Sequence, residues 1–134
     1  MNYYKANLYS EIRNYDKVNQ ILLDIIPTAK TISQYDYIKC LSFLVSNTSN
    51  NDDDALSLIY ALKLDSVLSN ANQSAPIETL MNPNIKYNLT KDESFTSFFA
   101  MQKIVNSNNI GFLYRKLGDY KNSEKFLLQS ISDL

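Results

Sequence analysis

Apolar residues recur along this chain at spacings of three and four, the mark of helices that bury one face. In residues 3–14 these are Tyr4, Leu8 and Ile12, with Tyr15 just beyond. In residues 16–26 they are Val18, Ile21, Leu22, Ile25 and Ile26, and Pro27 predicts the end of that helix. Tyr37, Ile38, Leu41, Phe43, Leu44 and Val45 predict a third helix over 33–46, broken by the polar run NTSNNDDD. Asp53 or a neighbour then caps a fourth helix, 55–68, built on Leu58, Ile59, Leu62 and Leu64. Residues 70–89 hold two of the three prolines and no clear period, so they read as a long connecting loop, uncommon inside a compact domain. TKDE at 90–93 reads as a capping box. Phe95, Phe98, Phe99 and Ile104 predict a helix that either runs to Lys116 or breaks near NSNN. Phe126, Leu127, Ile131 and Leu134 complete a last helix over 120–134. The pattern predicts one all-α domain of three antiparallel hairpins, at about 3–30, 32–70 and 91–134.

The only two glycines, Gly111 and Gly118, fall in GFLYRKLGDY. Such glycine poverty excludes a turn-rich β fold. Shifted by 105 residues, this stretch falls on the start of the chain. Gly111 then falls on Ala6, Tyr114 on Tyr9, Tyr120 on Tyr15, Ser123 on Val18 and Leu127 on Leu22. The middle hairpin aligns less well, with Ala55, Ile59 and Leu62 matching Ser123, Leu127 and Ser130 at an offset of 68. The shifts approximate three and two periods of about 34 residues, which calls for a repeat.

Ile110-Gly111-x-x-Tyr114, then Gly118-x-Tyr120, Ser123 and Leu127, resembles the tetratricopeptide repeat. Ser107 stands where that pattern has Trp, and Ser123 and Val18 where it has Ala. The resemblance implies hairpins stacked as a right-handed solenoid. Gly111 or Ala6 would let the two helices of a hairpin touch, with Tyr114 or Tyr9 filling the wedge beside the contact. Gly118 would take a left-handed turn, for which it has no Cβ penalty, and Arg13 stands in its place in the first unit. Tyr120, like Tyr15, would open the second helix and pack back over the turn. The family's concave groove would show Tyr3, Asn7 and Ser10 in the first unit and Asn108, Phe112 and Arg115 in the third. That is a neutral, hydrogen-bonding groove with one cation. One subtype of the family grips the C-terminal carboxylate of chaperones; here Asn7 alone matches its clamp, so that ligand is not expected.

Charge and reactive groups sharpen this picture. The 134 residues carry 13 basic and 14 acidic side chains, with no basic stripe for nucleic acid and no polybasic membrane contact. No stretch is apolar enough to span a bilayer. The N-terminus shows no signal peptide, and Cys40 is alone, so a cytoplasmic, reducing location is expected. There is no histidine and no glycine-rich phosphate loop. Cys40 sits among apolar residues and reads as a small core residue. Asp52, Asp53 and Asp54 lack the glycine and distal glutamate of a calcium loop and read as a helix cap. No cofactor, metal or catalysis is therefore expected. The chain reads as an interaction scaffold for a partner protein or peptide, with a peptide-signal sensor or a subunit of a larger assembly as alternatives. Residues 126–134 leave an apolar strip that predicts self-association or packing through the C-terminal helix.

Overall fold

The computed structural model describes residues 3–70 and 95–134, with side chains omitted for Tyr3, Tyr4 and residues 95–97. Every secondary-structure element among the described residues is a helix. They form α1 (Tyr3–Glu11), α2 (Tyr15–Ile32), α3 (Gln34–Asn50), α4 (Asp54–Ser69), α5 (Phe95–Lys116) and α6 (Tyr120–Ser132). Each helix packs chiefly on the next in sequence. The expected 70–89 loop, from residue 71 on, and the TKDE box lie outside the described residues.

Three turns, between α1 and α2, α3 and α4, and α5 and α6, share one construction. In each, one residue takes a left-handed conformation: Arg13 (φ 60°), Asp52 (φ 57°) and Gly118 (φ 85°). The following N–H reaches back five residues, from Asn14 to Tyr9 (2.9 Å), Asp53 to Thr48 (3.0 Å) and Asp119 to Tyr114 (2.8 Å). The left-handed residue bonds three back, to Ser10, Ser49 and Arg115. This is the Schellman ending, which satisfies carbonyls that a helix terminus would otherwise leave open. The next residue then caps the following helix. Asn14, Asp53 and Asp119 each accept the N–H three residues on, at 3.2–3.3 Å. Asn122, through its side chain and then its backbone, holds the Asp119 carboxyl below its ordinary range. Gly118 thus sits in the conformation expected of it, and Arg13 and Asp52 adopt it without being glycine.

These turns set the internal register. The middle hairpin aligns with the third at 66 residues, not 68, so Ser57 matches Ser123 and Ala61 matches Leu127. Ala61 is fully buried while Ile59 is 60% exposed. Leu56, Leu58, Ile59 and Leu62 put apolar groups on several sides of α4, so hydrophobicity does not select the register there and the cap does.

In that register the helices of each hairpin cross at equivalent places. Gly111 opposes Leu127: a Cβ on Gly111 would lie 2.6 Å from Leu127 Cγ and Cδ2. The corresponding pairs are Val45 with Ala61 and Ala6 with Leu22, all buried. Ser57 Oγ also donates to Val45 O at 2.9 Å across the middle hairpin. Tyr114 fills the wedge of the third hairpin, its ring stacked on Phe126 at 5.8 Å. Tyr120 does not pack over its turn; it is 70% exposed, because the chain leaves the turn with that position facing away from α5.

The packing between hairpins repeats as well. Cys40 Sγ donates to Leu22 O (3.8 Å), and Asn106 Nδ2 donates to Ala61 O (2.9 Å). The two contacts occupy the same positions of successive units. One core cluster gathers Val18, Leu22, Ile38, Leu41, Leu44, Leu64 and Phe99; a second gathers Val45, Ala61, Ile110, Leu113 and Phe126.

Two helix boundaries differ from those the hydrophobic pattern predicts, and α5 follows the longer of its two expected courses. Pro27 lies inside α2 rather than at its end. It is on the exposed side, as is Leu23, whose carbonyl it leaves without its usual partner, while buried Ala29 anchors the next turn. α3 continues through polar residues to Asn50. Asn47 Nδ2 donates to Tyr15 O (2.9 Å), and Thr48 Oγ1 bonds its own helix at Leu44 O (2.7 Å), so both are buried without being apolar. α5 is unbroken across NSNN, since Asn106 and Ser107 are also core residues.

Overpacking a tight contact costs about 1–3 kcal/mol, so Gly111→Ala is expected to lower stability by about that amount. A non-glycine residue in a left-handed position costs roughly 1 kcal/mol. Gly118→Ala should therefore destabilise and Arg13→Gly stabilise, each by roughly 1 kcal/mol. Urea unfolding midpoints of the three variants check the signs.

Candidate functional site

Two concavities of about 380 Å³ each lie side by side over α1, α3 and α5. The first runs between α3 and α5, walled by Ser46, Ser49, Asn50, Asn109, Phe112 and Lys116. The second brings in α1, with Ser10, Lys39, Ser42, Ser46, Phe98 and Gln102. Ser46 belongs to both walls.

The turn register explains why these side chains converge. Asn7, Ser46 and Phe112 occupy one position of successive units. Ser10, Ser49 and Arg115 occupy another, and Tyr3, Ser42 and Asn108 a third. Of the six groove residues expected from sequence, the structure brings Ser10 and Phe112 into the walls. Asn7 and Arg115 are exposed and Asn108 is half-buried, and none of these three lines either concavity. The side chain of Tyr3 lies outside the described ones. The serines of α3 are not legible from sequence because the apolar residues of the middle hairpin give a register two residues off. Aligning its Asp53 with Asn14 and Asp119 would have placed them.

No carboxylate lines either concavity among the described residues. The cations at the walls are Lys39 and Lys116, a correction to the single expected Arg115. Lys39 Nζ sits 5.1 Å above the Tyr35 ring. Lys116 Nζ lies 3.5 Å from Asp54 Oδ1. The remaining polar groups are hydroxyls and amides, small donors and acceptors that can pair with the backbone of an extended peptide.

Cys40, on the side of α3 that meets α2, is fully buried. Loss of water, and then the negative charge of Asp36, push its thiol up to about 11 from an ordinary 9.0. The three consecutive aspartates have separate tasks: Asp52 makes the left-handed turn, Asp53 caps α4, and Asp54 holds Lys116. Among the described residues no group of three potential metal ligands comes together, and no helix is long and apolar enough to cross a membrane.

The chain matches no protein-family description, no curated protein and no solved structure.

The raised thiol makes stability depend on pH. The unfolded chain loses this proton near pH 9 and the native one only near 11. The unfolded state thus binds fewer protons in that interval, and native stability falls as pH rises through it. Unfolding free energies of the wild type and Cys40→Ala, measured between pH 8 and 11, should show a steeper decline for the wild type.

Proposed function

We propose that the chain is a non-catalytic interaction module. Its hairpins stack as a tetratricopeptide-like right-handed solenoid, and the face formed by α1, α3 and α5 holds an extended segment of a partner protein. The observation that carries this reading is the pair of adjoining concavities that share Ser46, walled by matching positions of successive units. Three turns of one construction and two junction contacts at matching positions support the repeat reading. The walls extend along α3 from Lys39 to Asn50, about 16 Å at the helical rise. An extended peptide advances about 3.3 Å per residue, so the face suits roughly five residues. Serine hydroxyls and the amides of Gln102 and Asn109 would hold the peptide backbone, Phe98 and Phe112 would take apolar side chains, and Lys39 and Lys116 would favour a segment without lysine or arginine. The free, buried Cys40 suits a reducing compartment, and the proposal places the chain in the cytoplasm.

Selection of a displayed peptide library on the full chain tests this. Enriched peptides are expected to lose at least tenfold in affinity, about 1.4 kcal/mol, with Ser46→Arg, which fills the shared wall. They should be indifferent to Ile59→Ser, away from these walls. Failure to enrich any peptide, or binding that ignores Ser46→Arg, would sink the proposal.

A further inference from the structure

The turn register also tells which positions of one hairpin receive the next. Asn47 of α3 reaches back to α2, donating to Tyr15 O (2.9 Å) and Asn19 Oδ1 (3.3 Å). At the following junction Leu113 occupies the position of Asn47, and Lys116 reaches back to Asp54, which occupies the position of Tyr15. Asn47 and Leu113 are only 2% and 3% exposed. The same position in α1 is Leu8, and it is 49% exposed. On the receiving side, Tyr15 and Asp54 are partly covered, while their counterpart in α6 is the exposed Tyr120. Each end of the described fold thus presents one half of a contact that the two internal junctions complete.

We propose that copies of the chain associate head to tail, α1 of one copy docking on α6 of the next as α3 docks on α2 and α5 docks on α4. The internal register then sets the pairs. Leu8 of one copy covers Tyr120 of the other. Lys5, in the position of the buried Leu44 and Ile110, comes against Glu124, which stands in the position of Asn19. Both residues of this pair depart from the inner units, and they depart with opposite charge. Tyr120, the apolar residue of α6 at this contact, is 70% exposed in the single chain.

Because the two surfaces differ, the contact is heterologous, and copies add end to end until they close a ring or form a short filament. With nine residues, α1 covers the first half of α6, leaving Ile131 and Leu134 beyond it. So small an interface makes the association weak and dependent on concentration. It uses the ends of the fold and is independent of what the concave face binds.

Disulfide trapping tests the geometry. Leu8→Cys and Tyr120→Cys are made as separate variants, with Cys40 buried and out of reach. Mixed and oxidised, they should give several-fold more covalent dimer than either variant alone. Sedimentation of the wild type should show mass rising with concentration. Glu124→Lys should reduce that rise, and Lys5→Glu in the same chain should restore it. A wild type that stays monomeric at every concentration overturns the proposal. So does a Tyr120→Cys variant that dimerises as readily alone as in the mixture, because that is α6 pairing with itself.

Discussion

Within each hairpin the two helices meet where there is room for one large side chain and not two. In the third hairpin the room goes to Leu127, and Gly111 yields it completely, with its missing Cβ replaced by the Leu127 side chain. In the middle hairpin the shares are reversed, Val45 taking the space and Ala61 giving it up. In the first, Ala6 stands opposite Leu22. Interiors pack at nearly crystalline density, so a methyl group added on one side must be removed on the other. This shared volume sets how close the helices lie, and a turn of three residues can join them only because they lie that close.

The turns and the junctions follow from that closeness. A left-handed residue returns the chain within one step, and a side-chain oxygen caps the new helix at once. Polar residues then enter the core because helix backbones run near enough to accept from them. Asn47 bonds Tyr15 O, Asn106 bonds Ala61 O, and Ser57 bonds Val45 O. Each links two helices through a main-chain carbonyl, a partner present whatever side chain stands there. These bonds can therefore survive changes of sequence at the accepting residue.

The candidate site is a by-product of the same geometry. Hairpins held in one register bring equivalent positions of α1, α3 and α5 to a common side, and small side chains there leave hollows rather than contacts. Ser46 is the clearest case. A large residue at that position would close both concavities, as Phe112 begins to do one unit later. The polarity of the walls reflects which residues the packing does not need.

Helical class, the positions of most helices, the left-handed Gly118 and the crossing at Gly111 were legible in the order of residues. Each of these depends on chemistry local to a few neighbours: spacing of apolar groups, a missing Cβ, a cap. The continuation of α2 past Pro27, of α3 through Asn47 and Thr48 and the register of the middle hairpin were decided only by tertiary packing. So were the walls built by Ser42, Ser46 and Lys39. A buried asparagine looks like a surface residue until the carbonyl it bonds is brought beside it, and a helix apolar on several sides has no preferred face until a neighbour covers one. Local chemistry set the units; which side of each unit met the next depended on contacts between residues dozens of positions apart.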